Sequence, residues 1–397
     1  MTAQQAGPSD ADLRAQLVRQ LTDDGVLDDA AWAAAVGAVP RHRFVPGFYI
    51  AAPEADTDGL TVWEPVTEAT DPQRWLAEAY TDTTLITQFD GDEPDWQHPA
   101  ARHGGAPTSS ATLPSLVVRM WADAQIDEDM QVLEIGTGTG YSTALACERL
   151  GSKHVTSIEV DPNRLNSAAA ALFDLGYHPT LAVADGLFGY RPAAPFDRIV
   201  AACSTRGIPT PWLAQTAPGG KILTTLSGWL FGYARVLLTV HEDGTASGPL
   251  LPGTVSFMAA RTQAPPAFGN PTHWTALNND SPRPAQHSPE RITAAGDEAF
   301  FARFLVQSAI PDAQLTWTDQ TVVLIDVHSG SVAQINGDQV RQAGPIRLWD
   351  RAETILDAFD AAGRPGPETF SISIDDTGQH LLHTRMPTLP LTGSTAP

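Results

Sequence analysis

The stretch Val132-Leu-Glu-Ile-Gly-Thr-Gly-Thr-Gly-Tyr-Ser142 places a short apolar run in front of three closely spaced glycines. Such a turn between a strand and a helix lets a ligand approach the backbone and presents free amide groups at the helix start. The pattern continues downstream, with further strands predicted at 154–160, 180–185, 196–203 and 218–226. Because helical segments lie between them, the pattern predicts an α/β fold with a parallel sheet covered by helices on both faces.

Acidic residues stand where this sheet would meet a nucleoside. Glu134 precedes the glycine turn, Glu159 ends the second strand, and Asp185 ends the third. An acid at the end of the second strand can accept both hydroxyls of a ribose. The compact glycine spacing favours S-adenosyl-L-methionine over a dinucleotide, whose pyrophosphate needs more room. The predicted cofactor-binding residues are Glu134, Gly136, Thr137, Gly138, Gly140, Glu159, Asp185 and Gly186. The alternative is a tight turn with ordinary acids at the strand ends.

Several stretches together resemble the protein-L-isoaspartate O-methyltransferase family. They are 132–142, 155–161, 184–190 and 217–223, with the upstream Val39-Pro-Arg-His-Arg-Phe-Val-Pro46 and Ala79-Tyr-Thr-Asp82. The resemblance covers roughly residues 35 to 228. It implies a Rossmann-like methyltransferase domain that esterifies a carboxyl group, with S-adenosyl-L-methionine as donor and S-adenosyl-L-homocysteine as product.

The predicted active-site loop departs from the family pattern. The family reads approximately Gly-Gln-Thr-Ile-Ser-(Gln/Ala)-Pro, whereas this chain has Ala106-Pro-Thr-Ser-Ser-Ala-Thr112 after an insertion around 90–105. Aligned in this way, Ser110 takes the place of the active-site serine, with Thr108 and Ser109 beside it. These three hydroxyls are the predicted catalytic residues, because they could bind one carboxylate oxygen and orient the other. Capping of the helix that starts near Leu113 is the alternative role.

A C-terminal extension is the second departure. Both departures resemble divergent actinobacterial members associated with ribosomally synthesised, modified peptides of the graspetide or lanthipeptide type. This resemblance implies methylation of an aspartate in a modified, macrocyclic precursor peptide, followed by closure to a succinimide (aspartimide) and, on hydrolysis, isoaspartate. The other readings are a general isoaspartate repair enzyme, a small-molecule methyltransferase and a non-catalytic binding module.

Four segments are predicted along the chain. They are an N-terminal helical cap at 1–60, a methyltransferase domain at 61–240 with an inserted active-site loop near 86–112, a linker or irregular wrap at 241–290, and a small α+β domain at 291–397. In the last segment, Arg341, Arg347 and Trp349 are candidates for peptide contact, although structural roles are equally open. The final residues, 388–397, are expected to form a tail.

Composition narrows the class of protein. The 397 residues carry 24 Lys and Arg against 46 Asp and Glu, a net charge of −22. Such acidity argues against nucleic-acid and anionic membrane partners. No apolar run approaches the roughly 18 residues of a membrane span, and no secretory signal is visible, so a cytoplasmic protein is expected. With two cysteines and no ligand-spaced histidine pair, no metal site is predicted.

Overall fold

The computed structural model describes residues 7–276, 281–318 and 320–391, and the chain divides into two compact units, Met1–Ala202 and Cys203–Pro397. The predicted boundary after residue 240 is too late. The reason lies in strand pairing, because the strands at 216–251 pair with one another and with the C-terminal hairpin at 371–382. They therefore share a core with the C-terminal part of the chain.

From residue 7 onward, where the structure describes it, the first unit contains six α-helices and the parallel sheet. The helices are α1 (Asp10–Asp23), α2 (Ala30–Ala38), α3 (Pro72–Ala79), α4 (Pro114–Asp123), α5 (Tyr141–Leu150) and α6 (Pro162–Asp174). The strands are β1 (Gly47–Ala55), β2 (Thr61–Thr67), β3 (Leu85–Phe89), β4 (Arg102–His103), β5 (Pro107–Ala111), β6 (Val132–Ile135), β7 (Val155–Glu159), β8 (Thr180–Val183) and β9 (Phe196–Thr205), the last of which crosses the unit boundary.

The parallel sheet confirms the predicted α/β class. Strands β8, β7, β6 and β9 are neighbours in this order, and every pairing among them is parallel. Every residue of β6 and β7 is buried, as is usual for a sheet covered on both faces. Helix α6 begins where the sequence indicates, since the Asp161 carboxylate accepts from two backbone amides of its first turn and Pro162 occupies that turn.

The expected helical cap at 1–60 is wrong beyond α2. Strands β1 and β2 form a hairpin in a second, antiparallel sheet with the order β4-β2-β1-β3-β5. The outer half of β1 is largely exposed, so its sequence lacks the apolar alternation that predicts a strand. Residues 86–112, expected as a loop, contribute β3, β4 and β5 to this sheet. The motif at 39–46 contains a 3₁₀ helix at Arg41–Phe44.

The described residues of the second unit form two sets of antiparallel strands and five α-helices. The helices are α7 (Thr210–Gln215), α8 (Pro271–Ala276), α9 (Glu290–Thr293), α10 (Asp297–Ala309) and α11 (Leu348–Ala361). The strands are β10 (Thr216–Ser227), β11 (Tyr233–Val240), β12 (Ala246–Leu251), β13 (Arg283–Pro284), β14 (Ala313–Thr318), β15 (Thr321–Asp326), β16 (Ser331–Asn336), β17 (Gln339–Ala343), β18 (Ser371–Asp375), β19 (Gly378–Leu382) and β20 (Leu389–Pro390).

These strands change two further predictions. The expected linker at 241–290 contains β12, which lies between β11 and β18, and also α8 and β13. The Gly, Ser and Pro content of β12 does not predict a strand. The segment is a strand because it pairs with β11 on one side and with β18 on the other. Of the expected tail, β20 pairs with β19, and residues 392–397 lie outside the described part of the chain.

The three candidates for peptide contact in this unit differ in access. Trp349 is fully buried in the core, so it cannot touch a peptide. Arg347 donates to the carbonyl of Gln342, and Arg341 is exposed. Across the described ranges, the helices are all too short or too polar to traverse a lipid bilayer.

Candidate functional site

The glycine turn after β6 requires residues without a side chain. Gly136, Gly138 and Gly140 have φ values of 96°, 55° and 93°, a region that other L-residues rarely adopt. A Cβ on Gly140 would lie 3.1 Å from the Cβ of Ala168. The turn therefore packs closely against α6. The amides of Gly136 and Thr137 donate to the Ile158 carbonyl and that of Gly140 donates to the Thr137 carbonyl, so the turn is held by its own backbone hydrogen bonds.

A buried network of hydroxyl groups supports the turn. Glu134 is completely buried, and its Oε2 accepts hydrogen bonds from Ser157 Oγ at 2.8 Å and from Thr143 Oγ1 at 2.5 Å. Thr137 Oγ1 lies 2.7 Å from Ser157 Oγ. Glu134 Oε1 has no hydrogen-bond partner among the described residues. Burial raises the pKa of Glu134. Glu134 and Thr137 thus support the turn from beneath, and one carboxyl oxygen remains available.

Glu159 lies at the turn itself. Its Oε2 accepts a hydrogen bond from the Gly138 amide at 2.9 Å, and its Oε1 accepts from the Asp161 amide at 3.1 Å. The Ala184 amide donates to the Glu159 carbonyl at 2.9 Å, which brings the ends of β7 and β8 together. The predicted acid and the predicted glycines therefore meet at one edge of the sheet.

Asp185 follows at the end of β8. Its Oδ1 accepts from the Leu187 amide at 2.9 Å. At Gly186, a Cβ would lie 2.3 Å from Cγ2 of Ile135, so only glycine fits there. Two apolar side chains beside these acids, Val160 and Phe188, are 38% and 47% exposed. Sequence reasoning missed them, although each lies within three residues of a predicted acid.

The three predicted catalytic hydroxyls differ in their surroundings. Thr108 Oγ1 donates to Gln88 Oε1 and accepts from the Gly91 amide, both at 2.9 Å. Ser109 is buried, and its Oγ accepts from Thr87 Oγ1 at 3.2 Å. Both side chains thus join β5 to neighbouring segments.

Ser110 is the hydroxyl that lies beside the glycine turn. Its carbonyl oxygen is 3.9 Å from where a Cβ on Gly138 would stand, and its side chain is half-buried. The alternative role as a helix cap does not apply, because Leu113 occupies the N-cap of α4 and no side chain caps it.

Thr112 is a candidate that sequence reasoning missed. In the family pattern the serine stands two residues before the proline, and here Pro114 begins α4. Counted back from Pro114, the serine position is Thr112 and the threonine position is Ser110. Thr112 is half-buried, and its carbonyl accepts from Arg41 at 3.1 Å. The proline was the available signal, since a helix start fixes the register more firmly than the polar residues before it.

Arg41 holds this part of the site in place. It is completely buried, and its guanidinium donates to five backbone carbonyls, those of Ala79, Thr81, Thr83, Ala111 and Thr112. Burial lowers the pKa of Arg41 to about 10, so it remains a cation at neutral pH. The motif at 39–46 therefore anchors the end of β5.

The sequence predicts no metal site, and a metal site would need several ligating side chains close together. Within the ranges that the structure describes, no group of three or more His, Cys, Asp or Glu residues is placed to hold a metal ion. Cys147 is buried, which raises the pKa of its thiol to about 12. A thiol with such a pKa is not a nucleophile at neutral pH.

Comparison with known proteins places the chain in a family. The family model described as Protein-L-isoaspartate(D-aspartate) O-methyltransferase (PCMT) matches residues 71–228. Protein-L-isoaspartate O-methyltransferase 1 of Archaeoglobus fulgidus is 32% identical over 209 residues, which are 52% of this chain and 76% of that protein. The chain belongs to the protein-L-isoaspartate O-methyltransferase family. Protein-L-isoaspartate O-methyltransferase 1 of Nitrosospira multiformis is 35% identical over 135 residues, and this chain spans only 56% of that relative's length and 34% of its own.

One solved structure is similar in fold over most of the chain, including the C-terminal extension. A solved structure described as protein-L-isoaspartate O-methyltransferase matches with a TM-score of 0.52 and 19% identity, and the match covers 94% of this chain and 99% of that one. The matching fold therefore includes most of the second unit.

Proposed function

We propose that this family member is an S-adenosyl-L-methionine-dependent O-methyltransferase that esterifies a carboxylate of isoaspartyl residues in proteins or peptides. One observation carries the proposal: the glycine turn, Glu159 and Asp185 lie together at one strand edge, and Ser110 lies beside the turn. The relatives' shared name supports the choice of acceptor. The proposed acceptor is therefore that of a general isoaspartate repair enzyme rather than an aspartate of a modified peptide.

The residues present fit the proposed cofactor. The positive-φ glycines keep side chains away from the ligand's path. Glu159 would accept the ribose hydroxyls, and Asp185 would accept from the adenine amino group. Val160 and Phe188 offer exposed apolar surface near these acids. An adenine ring would pack against this surface. Glu134 Oε1, buried and unpartnered among the described residues, would accept a further donor.

The chain's own residues would orient the acceptor. Bound S-adenosyl-L-methionine supplies an electrophilic methyl group on a sulfonium. The acceptor carboxylate is already ionised at pH 7, so no general base is needed. The hydroxyls of Ser110 and Thr112 would hold one carboxylate oxygen and leave the other to form the new O–CH₃ bond. The electron pair of the broken C–S bond stays on sulfur. Holding the two reactants in line is the main contribution expected of the enzyme.

One observation favours a second candidate, methylation of an aspartate in a modified peptide. The inserted segment at 90–105 packs against β1, because Trp96 lies against Gly47, where a Cβ would come within 2.3 Å of the indole. In this candidate the methyl ester is attacked by a neighbouring backbone amide nitrogen. A succinimide then forms and methanol leaves.

A competition assay tests the choice of acceptor. The enzyme receives methyl-labelled S-adenosyl-L-methionine with three peptides: an isoaspartyl peptide, its aspartyl counterpart and a macrocyclic aspartyl peptide. We expect the label in the isoaspartyl peptide. Label confined to the macrocyclic peptide would support the second candidate. No label in any peptide, together with no calorimetric uptake of S-adenosyl-L-homocysteine, would exclude both.

A further inference from the structure

A small cavity lies on the side of the glycine turn that faces α6, within the first unit. Its volume is about 90 Å³, and its walls include Gly138 and Thr139 of the turn, Arg164 of α6, and Glu93 and Trp96 of the inserted segment. A water molecule in the liquid takes up roughly 30 Å³. The cavity therefore has room for a small polar group such as a carboxylate.

Two buried N–H groups of these wall residues lack acceptors. Arg164 is 6% exposed and forms an ion pair with Glu93, yet its Nε has no hydrogen-bond partner among the described residues. The same holds for the indole Nε1 of Trp96. Buried donors are almost always paired in folded proteins, so two unpaired donors around one cavity indicate a missing acceptor.

The walls that carry these donors are held in place. The indole of Trp96 packs on Gly47 and lies 5.1 Å from the Tyr49 ring, centroid to centroid. Gln88 Nε2 lies 3.4 Å from the Glu93 carboxylate, which in turn pairs with Arg164. Both donor atoms are closed to solvent in this structure, so a ligand reaches them after a side-chain rotation of Arg164 or Trp96.

The charge of the cavity indicates an anionic ligand. Its charged lining consists of Arg43, Arg164 and Glu93, two cations against one anion. This positive balance contrasts with the net charge of −22 on the whole chain. Burial lowers the pKa of Arg164 to about 10, so the guanidinium stays charged at neutral pH. A planar guanidinium suits a carboxylate, which can take two N–H groups at once.

We propose that this cavity binds a second carboxylate of the peptide substrate, an acidic side chain near the residue that is methylated, with Arg164 as its anchor. The inference rests on the proposed function for the identity of the substrate. Gly138 lines the cavity and also binds Glu159, so the pocket adjoins the methyl-transfer site. The inserted segment supplies Glu93 and Trp96 and thereby makes the enzyme selective for acidic peptides.

Two matched peptides test the proposal. Both are acetylated, amidated isoaspartyl heptapeptides; one has glutamate on each side of the isoaspartate and the other has glutamine. We expect the wild type to show a KM about 10-fold lower for the glutamate peptide, as a charge-assisted hydrogen bond provides. Arg164→Gln should bring the two KM values together, and Arg164→Lys should restore part of the difference. Arg19→Gln, the same charge change at an exposed position of α1, should preserve it.

Glu93→Gln gives a second test with the opposite sign. It removes the carboxylate that now pairs with Arg164, so the preference for the glutamate peptide should increase. Several results would overturn the proposal: an equal KM rise for both peptides in Arg164→Gln, a weaker preference in Glu93→Gln, or a loss of S-adenosyl-L-homocysteine affinity in Arg164→Gln.

Calorimetry separates this inference from the proposed function. Both peptides are titrated into enzyme saturated with S-adenosyl-L-homocysteine, so that binding is measured without methyl transfer. Tighter, Arg164-dependent binding of the glutamate peptide without any methylation would sustain the pocket and refute the proposed function. Methylation of both peptides with equal KM and equal affinity would sustain the proposed function and refute the pocket.

Discussion

Replacing Arg41 by methionine should destabilise the first unit more than almost any other single substitution. The side chain is completely buried and makes five hydrogen bonds to backbone carbonyls, at distances of 2.9 to 3.2 Å. Methionine fills a similar volume but donates nothing. The carbonyls at the end of α3 and at the end of β5 would lose their donors together.

The expected size of the effect follows from which carbonyls remain buried. The bonds to Ala79 and Ala111 are buried, whereas the other three are partly accessible and can turn to water. A buried, unsatisfied carbonyl costs about 1–3 kcal/mol. Relief of the desolvated cation offsets part of this loss. A decrease of about 3–5 kcal/mol in the free energy of unfolding is expected, a large share of the roughly 5–15 kcal/mol typical of folded proteins.

Urea unfolding followed by tryptophan fluorescence measures this decrease, with separate transitions fitted because the chain has two compact units. Arg43→Met is the matched control two residues away. Its side chain is 47% exposed and its ion pair with Asp174 spans 3.6 Å, so a loss of about 0.5 kcal/mol or less is expected. Equal losses in the two variants would show that the five bonds do not support the fold. Among folded molecules, Arg41→Met should also lower kcat, because the β5 end that carries the hydroxyls loses its anchor.

Three further substitutions test the site. Glu159→Gln should weaken the binding of S-adenosyl-L-homocysteine about 10-fold or more in calorimetry, because a neutral amide accepts ribose hydroxyls less strongly than a carboxylate; unchanged affinity would remove this residue from the cofactor site. Gly140→Ala should lower the free energy of unfolding by about 1–3 kcal/mol. The reason is that φ is 93° and the new Cβ would lie 3.1 Å from the methyl group of Ala168 in α6. Gly176→Ala is the control in the same urea assay, because its φ of 81° is similar but its Cβ would meet open space, so it measures the backbone contribution alone. Thr112→Ala should lower kcat of methyl transfer about 10-fold or more, whereas Ser109→Ala should affect stability rather than kcat; the reverse order would contradict the assignment.

The parallel sheet was predictable because its signals are local. Strand β6 is a short, largely apolar run that leads directly into the glycine turn, and Asp161 and Pro162, just after β7, mark the start of α6. The antiparallel sheet of the first unit was not predictable in the same way. Strand β5 reads Pro-Thr-Ser-Ser-Ala and has no apolar alternation. It is a strand because β3 pairs with it across a long insertion, and a non-local pairing leaves no trace in a window of sequence.

The candidate cofactor site was easier to predict than the candidate catalytic residues. Glycines with positive φ and acids at strand ends are required by the backbone, so their spacing identifies them. Glu134 shows the limit of this reasoning, because its position in the motif does not reveal that Thr143 and Ser157 occupy its Oε2. Arg41 shows another limit, since a charged residue in a short link gives no sign that it will be completely buried.

The pairing of β5 with β3 also decides which hydroxyls can reach a substrate. The register of β5 against β3 shifts on both sides of Gln88, so alternation along the strand does not by itself assign each hydroxyl to a face. The side chain of Ser109 points into the protein. Its contact with Thr87 and its burial agree with this direction. Thr108 is engaged by Gln88 and Gly91. In a flexible loop all three hydroxyls would be equivalent candidates. Because Arg41 holds the end of β5 in place, we propose Ser110 and Thr112 for the carboxylate-binding role.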